Sequence, residues 1–554
     1  MDKNPLSRRR FLTIAGMGAT AMALNPSLPK AQTMDAALKG RHAVVVIGAG
    51  LGGLTCAAYL ARHGFPVTLV EQHAIPGGYA TAFDRAGGKF TFEVSLHGTA
   101  IHNNTPARIL EQLGILSKLE LVPLPEMYRV KSPEGEWHVP QGDPERFIRE
   151  LATRFPGEAE GIRAFVGDLL AIHTETERYG AKSERYRTWT KPLFPLIYPT
   201  MWKVRARTLA QMLEARVQTP EVRHRLAFLW GYYGLPPSEL SGFYYAVATG
   251  DYLQNGSYYI KTRSQRLSDL LAGTVTAAGG TLLFDTRVEQ VLLNRGAVAG
   301  VALADGRKLP ASAVVCNGSA LTLFERMVPP GSMPDAYLRQ LLSYRPSISS
   351  FIVWLGLNRA LDENSAGYNT AVISGRGPEA SYHAGQQGNM DQVDYTVCAY
   401  DHLFPGYSRP GTATLMIMAL CGYGPWQRFE ADYRAGRKAD YRVQKRQWAQ
   451  TLVRRAQKDL LPGLESMIEV REAATPLTNW RYTGNTHGAI YGFEQSMENA
   501  FINRIDNRTP IPGLYLAGAW GNPGGGFAGA LRSGQMTFEQ LCKHCAAGEI
   551  QSRA

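Results

Sequence analysis

The chemistry this chain can do is announced by an apolar run that breaks into glycines. Val44-Val45-Val46-Ile47 leads directly into Gly48-Ala49-Gly50-Leu51-Gly52-Gly53, and Val67-Thr68-Leu69-Val70-Glu71 follows on schedule. Gly48, Gly50 and Gly53 make the spacing G-x-G-x-x-G between a buried strand and a helix. The first serves a tight turn, the second lets the backbone approach a pyrophosphate, and the third lets helix and strand pack closely. A helix beginning there offers free N–H donors and partial positive charge to phosphates. Glu71 ends the second strand, where a carboxylate holds ribose hydroxyls and disfavours the extra phosphate of NADP. Strand, glycines, helix, strand and acid in one register identify a dinucleotide site.

Later residues say which dinucleotide. A Gly77-Gly78 doublet follows Glu71. Near the C-terminus, Gly513-Leu514-Tyr515-Leu516-Ala517-Gly518-Ala519-Trp520 precedes Pro523-Gly524-Gly525-Gly526-Phe527-Ala528-Gly529-Ala530 and a helical stretch, Leu531 to Cys542. A nicotinamide domain has no need of this distant second strand, turn and helix. FAD is longer, and its flavin end must be held. Gly77, Gly78, Gly518, Phe527, Ala528 and Gly529 are therefore expected at the cofactor. A helix N-terminus at Ala528–Ala530 would stabilise negative charge on the flavin's pyrimidine side.

On these segments the chain resembles the FAD-dependent carotenoid desaturases, carotenoid cis–trans isomerases and retinol saturases, within the amine-oxidase-like flavoprotein superfamily. The resemblance spans roughly residues 41 to 545. Phe90-Thr91-Phe92-Glu93-Val94-Ser95-Leu96-His97-Gly98 is similar to the family's flavin-adjacent segment, with His97 closest to the retinol-saturase branch. Gly234-Leu235-Pro236-Pro237-Ser238, Gly256-Ser257-Tyr258-Tyr259, Thr475-Pro476-Leu477-Thr478-Asn479-Trp480-Arg481-Tyr482 and Gly488-Ala489-Ile490-Tyr491-Gly492 carry it further. Three places depart from the pattern: Tyr259-Ile260-Lys261-Thr262-Arg263 replaces Tyr-Pro-x-Gly-Gly, Tyr79 replaces an arginine, and Ala519-Trp520 replaces an acidic position. The resemblance implies that a backbone group near Val288 contacts adenine; ordinary strand packing explains the valine equally well. It also places Glu93 and His97 near the flavin as candidate catalytic residues. Histidine suits proton transfer near neutral pH, yet His97 reads as readily as a satisfied core residue, and Glu93 reads more readily as a partner of FAD or backbone. His487 and Tyr491 are weaker candidates. No metal cluster or nucleophile constellation stands out.

With 554 residues, two or three domains are expected, and 45% hydrophobic with 19% charged residues excludes fibrous and disordered classes. The net charge of +12 favours anionic surfaces; no nucleic-acid module is recognisable, so a membrane ranks above nucleic acid. No apolar run is long enough to span a bilayer. Ser7-Arg8-Arg9-Arg10-Phe11-Leu12, followed by a mildly apolar stretch to Leu24, matches a twin-arginine export signal with cleavage near Ala31. That export machinery carries folded proteins, as a flavoprotein loaded in the cytoplasm requires, and delivers it to a periplasm without soluble NAD(P)H. The six cysteines form no disulfide framework, and Cys542-Lys543-His544-Cys545 reads as a structural or incidental pair.

These elements place an α/β fold: a Rossmann-like FAD-binding domain assembled from residues 41–104, 262–320 and 488–546, after a signal peptide at 1–31. An α+β substrate domain takes residues 105–261 and 321–487, with a mixed sheet and a helical insert. Tyr128 to Val139 reads as a hairpin, and Ser347–Leu357, Tyr395–Tyr400 and Thr412–Leu420 as strands, with Met416, Met418 and Leu420 on one face. In the insert, Tyr186-Arg187-Thr188-Trp189-Thr190-Lys191-Pro192-Leu193-Phe194 and Trp202-Lys203-Val204-Arg205 interleave rings with basic heads. This suits the interface of an anionic bilayer, against the plainer option of a basic face over a core. The functional expectation is an exported, membrane-peripheral FAD oxidoreductase acting on carbon–carbon double bonds of a lipophilic isoprenoid, such as a carotenoid or retinoid. Hydride would pass between substrate carbon and flavin N5, with a quinone or quinol, or another carrier, as electron partner. Redox-neutral cis–trans isomerisation is the first alternative; amine oxidation and a flavin-bearing lipid carrier are more distant.

Overall fold

The computed structural model describes residues 42–362, 366–499 and 503–550. The expected export signal lies outside them. Two sheets organise the chain. The first is a five-stranded parallel sheet in the order Leu514–Leu516, Ala313–Cys316, Val44–Ile47, Val67–Val70, Thr281–Leu283. Its strands are short, nearly all apolar and covered on both faces, as parallel strands require. One face is packed by the helices Leu51–Arg62, Arg263–Ala277 and Gly526–Ala546. On the other, a three-stranded antiparallel sheet (Val288–Asn294, Ala297–Leu303, Lys308–Pro310) shares a core of Val45, Val291, Val301 and Val314. This is the α/β architecture expected from the sequence.

The second sheet has seven strands in the order Ile468–Ala474, Ser349–Leu357, Ala413–Cys421, Tyr395–Cys398, Asn369–Val372, Tyr128–Ser132, Gly135–Val139. It is mixed: Asn369–Val372 runs parallel to Tyr128–Ser132, and the other pairs are antiparallel. The hairpin at 128–139 forms locally and then extends this distant sheet, a pairing with no local sequence signal. Along Ala413–Cys421 the side chains alternate. Leu415, Ile417 and Ala419 enter the core under the helix Ala439–Asp459, whereas Met418 and Leu420 face a cavity. The sheet thus has a core side and a cavity side.

Opposite that cavity side stand the helices Ala159–Gly180 and Gly242–Asn255, packed on one another through Leu169, Ile172, Ala246 and Leu253. Glu175 fixes the insert to this pair by accepting from the Thr200 and Met201 amides at 3.1 and 2.8 Å. The insert divides as its pattern demands: Phe194, Tyr198 and Met201 are buried, while Trp189, Leu193 and Leu196 are 77%, 50% and 79% exposed. Arg187 turns inward over the Tyr179 ring, so it belongs to the packing and not to the basic outer face. Among the described residues, no helix is long and apolar enough to cross a membrane.

Candidate active site

At the carboxyl ends of the parallel strands, three remote segments meet. Gly48 takes φ of 94°, turning the chain out of the first strand. A Cβ on Gly50 would stand 2.6 Å from the Asn317 amide nitrogen, one on Gly52 would stand 2.6 Å from Gly518 Cα, and one on Gly53 would overlap the Gly48 carbonyl. The first helix begins at Leu51 with no side-chain cap, leaving its first N–H groups for an anion. The Gly77 N–H donates to the Ala49 carbonyl at 2.7 Å, so the Gly77-Gly78 doublet closes the turn from its other side. Glu71 accepts from the Ala49 and His73 amides at 2.7 and 2.8 Å; burial pushes its carboxyl up, and these donors oppose that. The C-terminal helix Gly526–Ala546 also starts without a side-chain cap.

These groups line one end of a cavity of about 1420 Å³. Gly48, Gly50, Glu71, Gly77, Gly78, Val288, Gly518, Phe527, Ala528 and Gly529 all contribute to its wall; Gly53 lies behind the turn as a packing residue. The same cavity continues under the seven-stranded sheet into a chamber walled by Trp230, Tyr232, Tyr244, Tyr252, Tyr491 and Met418.

His97 stands in the wall of that cavity. Its Nδ1 lies 3.1 Å from the Cys398 thiol and 3.4 Å from the Tyr400 hydroxyl, and its ring meets Tyr232 edge-on. Nε2 has no hydrogen-bond partner among the described residues. Burial lowers the ring's pKa from 6.5 to about 4, so His97 is neutral at ordinary pH and is a weak base.

Glu93 requires a correction. Its carboxylate is buried, stands outside the cavity wall and is saturated by donors. Oε1 accepts from the Ser264 hydroxyl at 2.6 Å and from the amides of Val94, Ser95 and Leu96. Oε2 accepts from the Ser264 amide at 2.9 Å and the Tyr259 hydroxyl at 3.2 Å. It clasps the strand Phe90–Glu93 to the helix Arg263–Ala277, and a catalytic carboxylate would need a free oxygen. Tyr491 lines the cavity, but His487 lies outside it, stacked on Tyr423.

Sequence reasoning missed Asn317 and Gln495. Asn317 follows the strand Ala313–Cys316, and its amide fills the space between Gly50 and Gly518. A polar residue just past a parallel strand's carboxyl end was the available signal. Gln495 is 1% exposed, lines the cavity beside Gly524, and carries an amide without a hydrogen-bond partner among the described residues. No local pattern marks it.

A sequence profile of the family described as flavin-containing amine oxidoreductase matches residues 51–541. The chain belongs to that family. It is 26% identical over 514 residues to a neurosporene-forming phytoene desaturase of Rhodobacter capsulatus, covering 91% of this chain and 94% of that protein. It is 26% identical over 526 residues to an all-trans-retinol 13,14-reductase of Danio rerio, covering 89% and 84%. Among solved structures, an oxidoreductase from Methanosarcina mazei shares the fold with a TM-score of 0.59 at 16% identity, covering 90% of this chain and 100% of that one. The chain is thus an FAD-dependent oxidoreductase. The cleft fits FAD: two uncapped helix ends, glycine cradles that a Cβ would fill, a carboxylate at the second strand end and an unpartnered amide at Gln495. The residues at 48–52 and 77–78 would hold the pyrophosphate, Glu71 the ribose, the backbone at Val288 the adenine, and Gly518 with 527–529 the flavin.

The His97 environment carries a pH prediction. The unfolded chain protonates this ring near 6.5 and the folded chain near 4, so stability present above about pH 6.5 is lost as pH falls toward 4. Relative to a His97→Asn variant, the wild type should lose roughly 2 kcal/mol of stability between about pH 7.5 and about pH 5. Denaturant midpoints at the two pH values measure this, and parallel losses in both proteins would show that His97 ionises freely in the fold.

Proposed function

We propose that this chain is an exported oxidoreductase that desaturates or saturates carbon–carbon double bonds of a lipophilic isoprenoid of carotenoid or retinoid type. The observation that carries the reading is a single cavity running from the glycine-lined dinucleotide cleft into an aromatic chamber. A long apolar polyene matches such a chamber in shape and polarity, and rings on several sides restrict it to an extended pose. When bound, FAD supplies hydride exchange at the flavin. The chain's part is to orient and to exclude water. Trp354 ties the roofing sheet to the Glu93 carbonyl at 2.7 Å, and Tyr400 ties it to the Leu96 carbonyl at 2.9 Å. Neutral His97, held at Nδ1 by Cys398 and Tyr400, presents Nε2 as a hydrogen-bonding group against the substrate and adds no charge beside it. The relatives named above act on phytoene and on all-trans-retinol, which supports the substrate class.

The same reading sets the enzyme on a membrane. The exposed Trp189, Leu193 and Leu196, flanked by exposed Lys182, Arg185 and Lys203, form an apolar patch with a basic rim suited to an anionic bilayer. The twin-arginine motif supports delivery to the periplasmic face, where a membrane quinone or quinol exchanges the electrons.

Two outcomes are expected. Flavin-loaded enzyme incubated anaerobically with carotenoid and retinoid polyenes should change product mass by two hydrogens while the flavin absorbance changes in step. An unchanged mass with altered double-bond geometry would instead indicate redox-neutral isomerisation, and inert polyenes alongside oxidised amines would remove the reading. In co-sedimentation, the protein should bind anionic vesicles over zwitterionic ones, and Trp189→Ser with Leu196→Ser should weaken binding about ten-fold or more, given about 1.5–3 kcal/mol per buried side chain. Equal sedimentation of wild type and double variant would place the membrane contact elsewhere.

A further inference from the structure

The chamber is not apolar throughout. Between the helices Thr105–Gln112, Ala159–Gly180 and Gly242–Asn255 its wall turns polar, and His173, Thr176, Glu177, Asp251 and Arg532 all face the cavity. Asp251 is held in place by Asn104 at 3.1 Å and Asn255 at 2.6 Å. Glu177 pairs with Arg108 at 3.4 Å through half-exposed side chains, which sets this wall at a solvent-facing end of the cavity. The His173 Nδ1 lies 3.2 Å from the Val247 carbonyl. A carbonyl only accepts, so Nδ1 carries the proton and Nε2 is left as an acceptor. Thr176 is 4% exposed, and its hydroxyl has no hydrogen-bond partner among the described residues.

A buried hydroxyl without a partner in a cavity wall asks for one from a ligand. The surrounding charges narrow its chemistry. Asp251 and Glu177 are opposed by Arg108 and Arg532, so neither an ammonium nor a carboxylate would find an uncompensated counter-charge. A neutral hydroxyl satisfies the wall in both directions: it donates to Asp251 or to His173 Nε2, and it accepts from Thr176. Location agrees. Arg532 lies 3.9 Å from Glu539, whose charge is in turn offset by Arg187 of the insert. The helix Ala159–Gly180, which carries His173, Thr176 and Glu177, also anchors the insert through Glu175, so the polar wall lies beside the element whose outer side is read above as membrane-facing, where an amphiphile keeps its hydroxyl at headgroup depth.

We propose that this wall is a subsite for a terminal hydroxyl, so that the enzyme takes polar-ended isoprenoids in preference to pure hydrocarbons and holds them in one orientation. The proposal rests on the polyene reading and adds the polarity and direction of the substrate to it.

The test uses flavin-loaded protein, all-trans-retinol, and the hydrocarbon of the same skeleton lacking the hydroxyl, with affinities read from quenching of protein fluorescence. Wild type should bind the alcohol at least about ten-fold more tightly than the hydrocarbon, and the near-isosteric Thr176→Val should bring that ratio close to unity with hydrocarbon affinity and flavin content unchanged. Asp251→Asn should move the ratio the same way. Equal wild-type affinity for the two probes, or equal weakening of both by Thr176→Val, overturns the subsite and leaves the polyene reading standing. A fall in flavin content in Thr176→Val also overturns it, because the wall would then serve the cofactor. Binding of neither probe removes the polyene reading and the subsite together.

Discussion

Everything in this fold is arranged around a place where backbone must touch backbone. The turn at Gly48–Gly53, Asn317 after one neighbouring strand, and Gly518 after another come within contact distance at the carboxyl ends of three parallel strands. A side chain at Gly52 would meet the Gly518 backbone and part them, whereas one at Gly50 would meet only the Asn317 side-chain amide. Gly534 of the C-terminal helix meets the Gly52 carbonyl in the same way, so the helices Leu51–Arg62 and Gly526–Ala546 pack without intervening side chains. Sequence positions nearly 500 residues apart thereby form one cleft. The order of the outer domain follows from that closure, because its segments are what the chain must traverse between visits to the parallel sheet.

Away from the junction, polar groups in the core act as clasps. Glu93 gathers donors from its own turn, from Ser264 and from Tyr259, at the cost of burying a carboxylate. Six hydrogen bonds offset that burial. Its effect is to fix the segment that leads to His97. His97, Cys398, Tyr400, Asn369 and Tyr232 in turn join the roofing sheet to the chamber through polar contacts of 3.1 to 3.7 Å. Under the roofing sheet the chamber therefore presents mainly aromatic faces, while its wall at His173, Thr176 and Asp251 is polar.

The sequence disclosed what local physics requires and little else. The glycine turn, Glu71 and the late glycine-rich strand–turn–helix were legible because close approach and a free helix end demand those residue types at fixed spacing. The alternation in Ala413–Cys421 was legible for the same reason: one face packs a core and the other a cavity. Asn317 was not, since a lone amide after an apolar strand has many ordinary roles. Between the two roles open to Glu93, catalysis and bonding to FAD or backbone, the sequence could not decide, because its partners Tyr259 and Ser264 lie more than 160 residues away, and only they reveal where the carboxylate turns. The pairing of Tyr128–Ser132 with Asn369–Val372 likewise leaves no trace within either segment. The basic, aromatic insert was divided by the structure, with Arg187 and Phe194 inside and Trp189 and Leu196 outside.

The central claim is that the glycine junction forms the FAD cradle, and Gly50 is where it can be struck without disturbing the core. Bound flavin measured by absorbance in purified Gly50→Val protein, alongside far-ultraviolet circular dichroism, is the direct test. The account requires a colourless protein with wild-type secondary structure, because the added methyls fill the space against the Asn317 amide in the turn that would hold the pyrophosphate. A yellow protein at full flavin occupancy would contradict it.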